Sequence, residues 1–157
     1  MPRSTSSIQT PLPLIGWREW LALPELGILR IKAKIDTGAR TSALHAFYVD
    51  PFHRGKTLWV RFGMHPLQHC TEEVIDCEAP VKDRRVVADS GGHRQRRYVI
   101  ETPLCLGDQV FPAEITLTNR DSMLFRMLVG RTALTGRFLV DAQQSFLFGR
   151  PPHHIQP

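Results

Sequence analysis

The sequence predicts an all-β domain, and three observations carry that prediction. Apolar residues recur at every second position in short runs, turn residues separate those runs at short intervals, and helical periodicity is confined to one short piece. The first clear run sets Ile31, Ala33 and Ile35 against Lys32 and Lys34. Next come "TLWVRF" at 57–62, "RRYVIETPLCL" at 96–106 and "FPAEITLT" at 111–118, and finally "RFLVD" and "SFLFG" near the C-terminal end. Pro24 and Gly27, Pro51 and Gly55, Gly91-Gly92, Gly107-Asp108 and Gly136 fall between the runs, where glycine and proline supply turn geometry. Many short strands so spaced suit a closed barrel or a sandwich. The one helical piece is "RTALTG" after Gly130, with Thr132 as its expected cap and Gly136 as its stop.

At 157 residues the chain suits one domain with a real core. Residues 1–13, with Pro2, Pro11 and Pro13, and residues 150–157, "RPPHHIQP", read as flexible tails around a folded domain at 14–149. A composition of 42% hydrophobic and 22% charged residues is that of an ordinary soluble protein. No apolar run approaches the roughly 18 residues of a membrane span, and "MPRSTSSIQTPLPLIGW" lacks the apolar centre of a signal peptide. A cytoplasmic protein with no membrane partner is expected. Cys70, Cys77 and Cys105 are odd in number and irregularly spaced, which suits reduced thiols. A net charge of +5 admits acidic partners. The aromatic-basic strand signature of RNA-binding sheets is missing, so nucleic acid is not the expected partner.

"RIKAKIDTGARTSALHA", residues 30–46, ends a strand pattern in Asp36 and follows it with Thr37, Gly38 and Ala39. Glycine lets the backbone approach closely and the threonine hydroxyl can bind nearby backbone groups, so the carboxylate sits on a tight turn. Alone, such a turn reads as an ordinary solvent-facing one, since three-residue DTG strings occur by chance in many proteins. A second element changes the balance: in "RMLVGRTAL", residues 126–134, an apolar strand runs into Gly130-Arg131 and a helical turn.

The pair of motifs, "IDTGA" at 35–39 and "LVGRTAL" at 128–134, resembles the retropepsin-like aspartic peptidases. With "RYVIETPL" and "LVGRTALTGRFLVD", and from about Gly16 to Gly149, the chain is similar to their small bacterial branch, long labelled putative ATP-dependent zinc protease and often found beside ATP-grasp ligases that add glutamate. The resemblance implies a closed retropepsin-like (acid protease) barrel with a short C-terminal helix and a flap hairpin. It implies a homodimeric endopeptidase in which Asp36 is the catalytic residue, because two carboxylates must share a proton and one chain carries a single DTG. Thr37, Gly38 and Ala39 would complete the active-site loop, and Gly130 and Arg131 would support it from beneath. Gly91 and Gly92, with Ser90 and Arg40, would bind a peptide substrate, the glycines at the flap tip. The alternative on the same fold is a non-catalytic peptide-binding module that regulates a partner ligase.

About ninety residues separate the two motifs, more than in the compact viral enzymes, and the excess is expected between Asp50 and Asp83. Arg40 could grip an acidic side chain, and Arg84, Arg85, Arg94, Arg96 and Arg97 either surround the same cleft or form a solvated hairpin face. "SFLFGR" could serve as a dimer strand, with Phe146 and Phe148 alternating about Leu147. Trp17, Trp20 and Trp59 read as core or edge packing. No cofactor is expected: "GKT" at 55–57 lacks the first glycine of a phosphate-binding loop. His65, His69, Cys70 and Cys77 cluster in sequence without the paired spacing of a zinc site, so no metal is assigned to them.

Overall fold

The structure, a computed structural model, describes residues 11–67, 73–88, 91–120 and 124–149. The strands in chain order are β1 (Leu14–Ile15), β2 (Arg18–Leu23), β3 (Ile28–Ile35), β4 (Ser42–Ala46), β5 (Tyr48–Arg54), β6 (Thr57–Met64), β7 (Ile75–Pro80), β8 (Asp83–Ala88), β9 (Arg94–Leu106), β10 (Gln109–Asn119), β11 (Met127–Val129) and β12 (Leu139–Val140). A 3-10 turn, Pro24–Leu26, links β2 to β3, and one helix, α1 (Arg131–Leu134), follows β11.

Six strands close on themselves in the order β10-β4-β11-β3-β2-β9, and the β9–β10 hairpin seals the ring. Closure leaves the barrel strands without open edges. The period-two pattern decides which residues fill it. Ile31, Ala33 and Ile35 of β3 are buried, with Leu44 and Ala46 of β4, Ile100, Leu104 and Leu106 of β9, Ile115 and Leu117 of β10, and Met127 and Val129 of β11. At about 25 cal/mol per Å² of apolar surface removed from water, these side chains are the main source of stability. β8 pairs with the outer part of β9, register Arg85↔Arg97, so that a hairpin stands off the barrel with Gly91 and Gly92 near its tip.

The extra length between the motifs is an antiparallel sheet of its own, β5-β6-β7. Its exposed face carries Phe52 and Trp59, with the Arg54 guanidinium 4.1 Å from the Trp59 ring centre. Glu78 accepts hydrogen bonds from Arg54 at 2.8 Å and from Arg61 at 2.6 Å. "GKT" turns into β6, and Trp17 and Trp20 pack edge-on against Phe125 and stacked on Phe146.

Two sequence expectations fail here. "SFLFG" is not a strand: Phe146 adopts φ 56° and residues 146–149 turn back on themselves, with Gly149 N–H donating to the Phe146 carbonyl. The cause is Glu19, a fully buried carboxylate that accepts the backbone N–H groups of Gly16 (2.7 Å), Leu147 (3.0 Å) and Phe148 (3.3 Å). A buried acceptor satisfies the segment where a strand partner was expected. Phe146 accordingly stacks on Trp20 while Phe148 meets Phe138. The second failure is the helix cap. α1 begins at Arg131 behind Gly130, not at Thr132, and no side chain caps it. Its first N–H groups are already taken, Arg131 by the Ala39 carbonyl at 2.8 Å and Thr132 by the Arg40 carbonyl at 3.0 Å.

β1 and β12 pair in parallel, so the segments at the two ends of the described chain lie side by side. Trp17 joins them to the barrel: its N–H donates to the Gln144 carbonyl at 2.8 Å and its carbonyl accepts Ile35 N–H at 2.7 Å. Of the predicted tails, residues 1–10 and 150–157 lie outside the described residues. Among the described residues no helix is long and apolar enough to cross a membrane.

Candidate active site

β3 delivers Asp36 and β11 holds it. The two strands run parallel with Val129 opposite Ile35, and Asp36 N–H donates to the Val129 carbonyl at 2.8 Å. The chain then reverses. Ala39 N–H bonds the Asp36 carbonyl at 3.2 Å, and Gly38 N–H bonds Asp36 Oδ1 at 3.0 Å, which orients the carboxylate within its own turn. Asp36 is half-buried, Thr37 and Gly38 are exposed.

The second motif packs against this turn. Arg131 donates from one guanidinium nitrogen to the carbonyls of Thr37 and Gly38, both at 3.1 Å, and from its backbone to Ala39. Gly130 N–H donates to Ser42 Oγ at 3.1 Å, and a Cβ at Gly130 would stand 2.6 Å from the Thr41 carbonyl carbon. No side chain larger than hydrogen fits there, which is why the motif needs glycine. The backbone on both sides of Asp36 is thus fixed by residues from the other end of the chain.

Above the turn is a cleft of about 730 Å³. Asp36, Gly38, Ala39 and Arg40 line its floor with Ala43 and His45 of β4, and the β8 stretch from Arg85 to Ala88 forms a wall. Arg97 and Arg120 complete the charged part. Among the described residues, one carboxylate, Asp36, therefore lines the cleft with four guanidinium groups. Arg85 is already engaged, by Asp83 at 2.8 Å and Glu114 at 3.0 Å, and hydrogen bonds from Arg85 and Lys82 hold the Glu114 carboxyl down to about 2. Arg40 and Arg120 are exposed, with no ion pair among the described residues.

Of the arginines read as candidates around the cleft, Arg40, Arg85 and Arg97 line it, whereas Arg84, Arg94 and Arg96 do not. The pleat is the reason: Arg85 and Arg97 are cross-strand partners on one face, while Arg84 pairs with Tyr98 and rests its guanidinium 5.4 Å from that ring centre. Gly91 and Gly92 are exposed at the hairpin tip and outside the cleft lining, and Ser90 lies outside the described residues. His69 and Cys70 also lie outside them. His65 stacks on Phe47 instead, and Cys77 donates weakly to the Leu26 carbonyl at 3.4 Å, its thiol pushed up to about 12 by burial.

Sequence reasoning missed His45 and Arg120. His45 is buried, its ring nitrogen Nδ1 meets Thr118 Oγ1, and its pKa is lowered to about 4, chiefly by burial and then by Arg97, Arg120 and Arg126. The alternation Thr41, Ala43, His45 against Ser42, Leu44, Ala46 was the available signal, since it turns every second residue after the Asp36 loop toward one face.

Comparison with known proteins agrees with this geometry. Residues 14–151 match the RimB-like family, described as retropepsin-like aspartic endopeptidase RimB. Proteins named probable alpha-L-glutamate ligase are similar in sequence: one from Shewanella pealeana is 46% identical over 87% of this chain, and one from Parasynechococcus marenigrum is 48% identical over 87%. The chain spans only 30% and 29% of the length of those two relatives. A crystal structure of a Legionella pneumophila protein of unknown function shares the fold, with a TM-score of 0.71 at 24% identity over 87% of this chain and 98% of that one. With its two motifs in contact and nearly the whole described chain matched, this protein belongs to the RimB-like family of retropepsin-like aspartic endopeptidases.

Proposed function

We propose that the chain is a cytoplasmic aspartic endopeptidase that works as a homodimer on acidic protein segments. The observation that carries the proposal is the Asp36 turn, presented at the floor of a cleft and braced through Gly130 and Arg131. One chain supplies one such carboxylate, so the second comes from Asp36 of another copy across a two-fold axis. Two carboxylates that close share one proton. The ionised partner takes a proton from water, whose oxygen attacks the peptide carbonyl carbon, while the protonated partner donates to the carbonyl oxygen. Collapse of the tetrahedral intermediate breaks the C–N bond as the amide nitrogen takes up a proton.

Thr37 and Gly38, exposed beside Asp36, are assigned to the contact between the two loops and to substrate backbone, and Ser90, Gly91 and Gly92 to a flap that covers it. The surplus of guanidinium groups over carboxylates among the described residues of the cleft supports an acidic substrate, because arginine pairs with carboxylates in a bidentate fork and a positive cleft concentrates anions. The names of the similar ligases favour glutamate-bearing segments. They also favour a second reading: in those relatives the matched region is joined to a longer protein, so this fold could bind peptide for an ATP-grasp glutamate ligase without cutting it.

The test is to incubate the protein and its Asp36→Asn variant with a cell lysate and compare new peptide termini. The proposal expects new termini from the wild type alone, insensitive to chelators. Equal cleavage by the variant refutes the aspartic mechanism. Cleavage by neither, with retained peptide binding, selects the second reading.

A further inference from the structure

We infer that Arg120 is a specificity-determining residue: at the end of the cleft away from Asp36, beside Arg97, its guanidinium binds a side-chain carboxylate of the peptide about three to four residues from the bond that is cut. The inference rests on the reading of the cleft as a peptide site and adds a residue and a position to it.

Strand register gives the cleft two unlike ends. β4 leaves the Asp36 turn at Ser42, which holds Gly130 N–H, and runs away from it through Ala43 and His45, both in the cleft lining. β10 runs beside it in parallel, with Thr116 opposite Ala43 and Thr118 opposite His45, so Arg120 lies two residues beyond the level of His45. β9 is antiparallel to β10 with Val99 opposite Thr116, and two residues further out Arg97 comes level with Thr118 and His45. Both arginines line the cleft and both charges act on the His45 ring, which puts them at the same end. Ser42 to His45 is three residues, about 10 Å of extended strand, and an extended peptide covers that distance in the same number of residues.

Charge compensation then singles out Arg120. Arg85 is already neutralised by Asp83 and Glu114, and Arg40 belongs to the loop of Asp36 itself, next to the bond to be cut. Arg97 is half-buried and donates from Nε to Gln95 Oε1 at 3.1 Å, so it is held in place and adds field rather than reach. Arg120 is exposed. Its backbone N–H donates to the Ala46 carbonyl at 2.9 Å, which anchors the strand end, while its guanidinium has no ion pair among the described residues. An anchored arginine with its fork uncommitted, in the field of a second arginine, fits a carboxylate in the bidentate manner. A lysine at that place in the peptide meets like charge and is disfavoured.

Two probes test this, both with blocked termini so that only side-chain carboxylates answer. The first is a library of acetylated, amidated dodecapeptides of random sequence, cut by the protein and aligned on the cleaved bond by mass spectrometry. The wild type is expected to enrich Glu and Asp at about the third or fourth residue from the bond. Arg120→Gln should lower that enrichment roughly three- to tenfold, between the worth of an exposed ion pair and that of a charge-assisted hydrogen bond. Arg120→Glu should enrich Lys and Arg there instead, while the preference next to the bond, which Arg40 sets, persists in both variants. The second probe is acetyl-hexaglutamate amide, whose Kd on the Asp36→Asn protein should rise by the same three- to tenfold, roughly, when Arg120→Gln is added. Enrichment that both Arg120 variants leave unchanged, or undiminished hexaglutamate binding by a folded Arg120→Gln protein, overturns the inference while the peptide site stands. No cleavage by the wild type, with hexaglutamate binding that depends on Arg120, overturns the peptidase reading and keeps Arg120 as the carboxylate reader. Neither cleavage nor hexaglutamate binding overturns both.

Discussion

Gly130→Ala tests how tightly the second motif grips the first. Gly130 has φ −93°, a conformation open to every residue, so backbone strain is not the obstacle. Space is. The new Cβ would lie 2.6, 2.8 and 2.9 Å from the carbonyl carbon, oxygen and nitrogen of Thr41, where ordinary contact begins at 3.4 Å. All three are backbone atoms, so Thr41 has to retreat by about 0.8 Å, and with it the neighbouring Ser42 that holds Gly130 N–H. Overpacking of this kind costs about 1 to 3 kcal/mol, and weakening the buried hydrogen bond adds about 1. A loss of about 2 to 4 kcal/mol is expected, or a fall in Tm of roughly 4 to 16 °C for a chain this long. Because the displaced segment leads straight into the Asp36 turn, activity should fall more than stability predicts, by up to about a hundredfold for a misplacement near 1 Å. Urea melts and initial rates on one acidic peptide measure both. Gly55→Ala is the comparison for backbone strain without a clash, since a Cβ there meets nothing within 4 Å but φ is +65°, and it should cost about 1 kcal/mol with activity retained. Stability of Gly130→Ala within about 0.5 kcal/mol of wild type, with full activity, would refute the claim that this contact sets the loop.

Arg131→Gln removes the two bonds to Thr37 and Gly38, and should cost about 1 to 2 kcal/mol with a larger fall in kcat than in peptide affinity, measured by paired kinetics and calorimetry. Specific activity should fall on dilution if two chains form one site, and a monomer with undiminished activity would count against the dyad. Arg40→Gln should reduce preference for acidic over basic peptides at low salt, and the preference should fade as salt rises, as competition between matched libraries would reveal. Acid should destabilise the protein through His45. The unfolded ring titrates near 6.5 and the folded one near 4, so between those values only the unfolded chain binds the proton, and stability falls with falling pH by up to about 3 kcal/mol. His45→Phe should remove that loss in melts at pH 7 and pH 4. Glu114 acts lower, below about 4.5, as its paired carboxylate is forced to take a proton.

Local physics explains what was legible in the sequence. The apolar residues of β3, β9 and β10 alternate in sequence because each strand turns one face to the core, although β10 is buried on both faces from Ile115 to Thr118, where it runs beside β4. Gly107-Asp108 marks the β9–β10 turn through glycine chemistry alone. The Asp36 loop and the Gly130-Arg131 turn were visible because their geometry demands particular residues. Contacts between distant segments were not. Nothing near "SFLFG" announces that Glu19, more than a hundred residues earlier, will capture its N–H groups, and "RTAL" gives no hint that carbonyls of Ala39 and Arg40 cap it. The short strands β1, β11 and β12 have too few residues for a period to show. His45 and Arg120 look like ordinary outward positions until the fold closes a cleft over them.

Trp17 gives the chain ends a mechanical meaning. Its N–H is tied to Gln144 and its carbonyl to Ile35, the residue before Asp36, so one residue links both terminal segments to the Asp36 turn. Parallel β1 and β12 take a pull applied between the ends as shear, with their hydrogen bonds sharing the load, and the three N–H bonds of Glu19 share it too. Tension on either end therefore has a short route to Ile35 through Trp17, beside the routes through Arg18 and β2 into the barrel. A tether, a fused domain or a docked partner that tugs on the termini would act on the carboxylate turn as a lever acts on a latch.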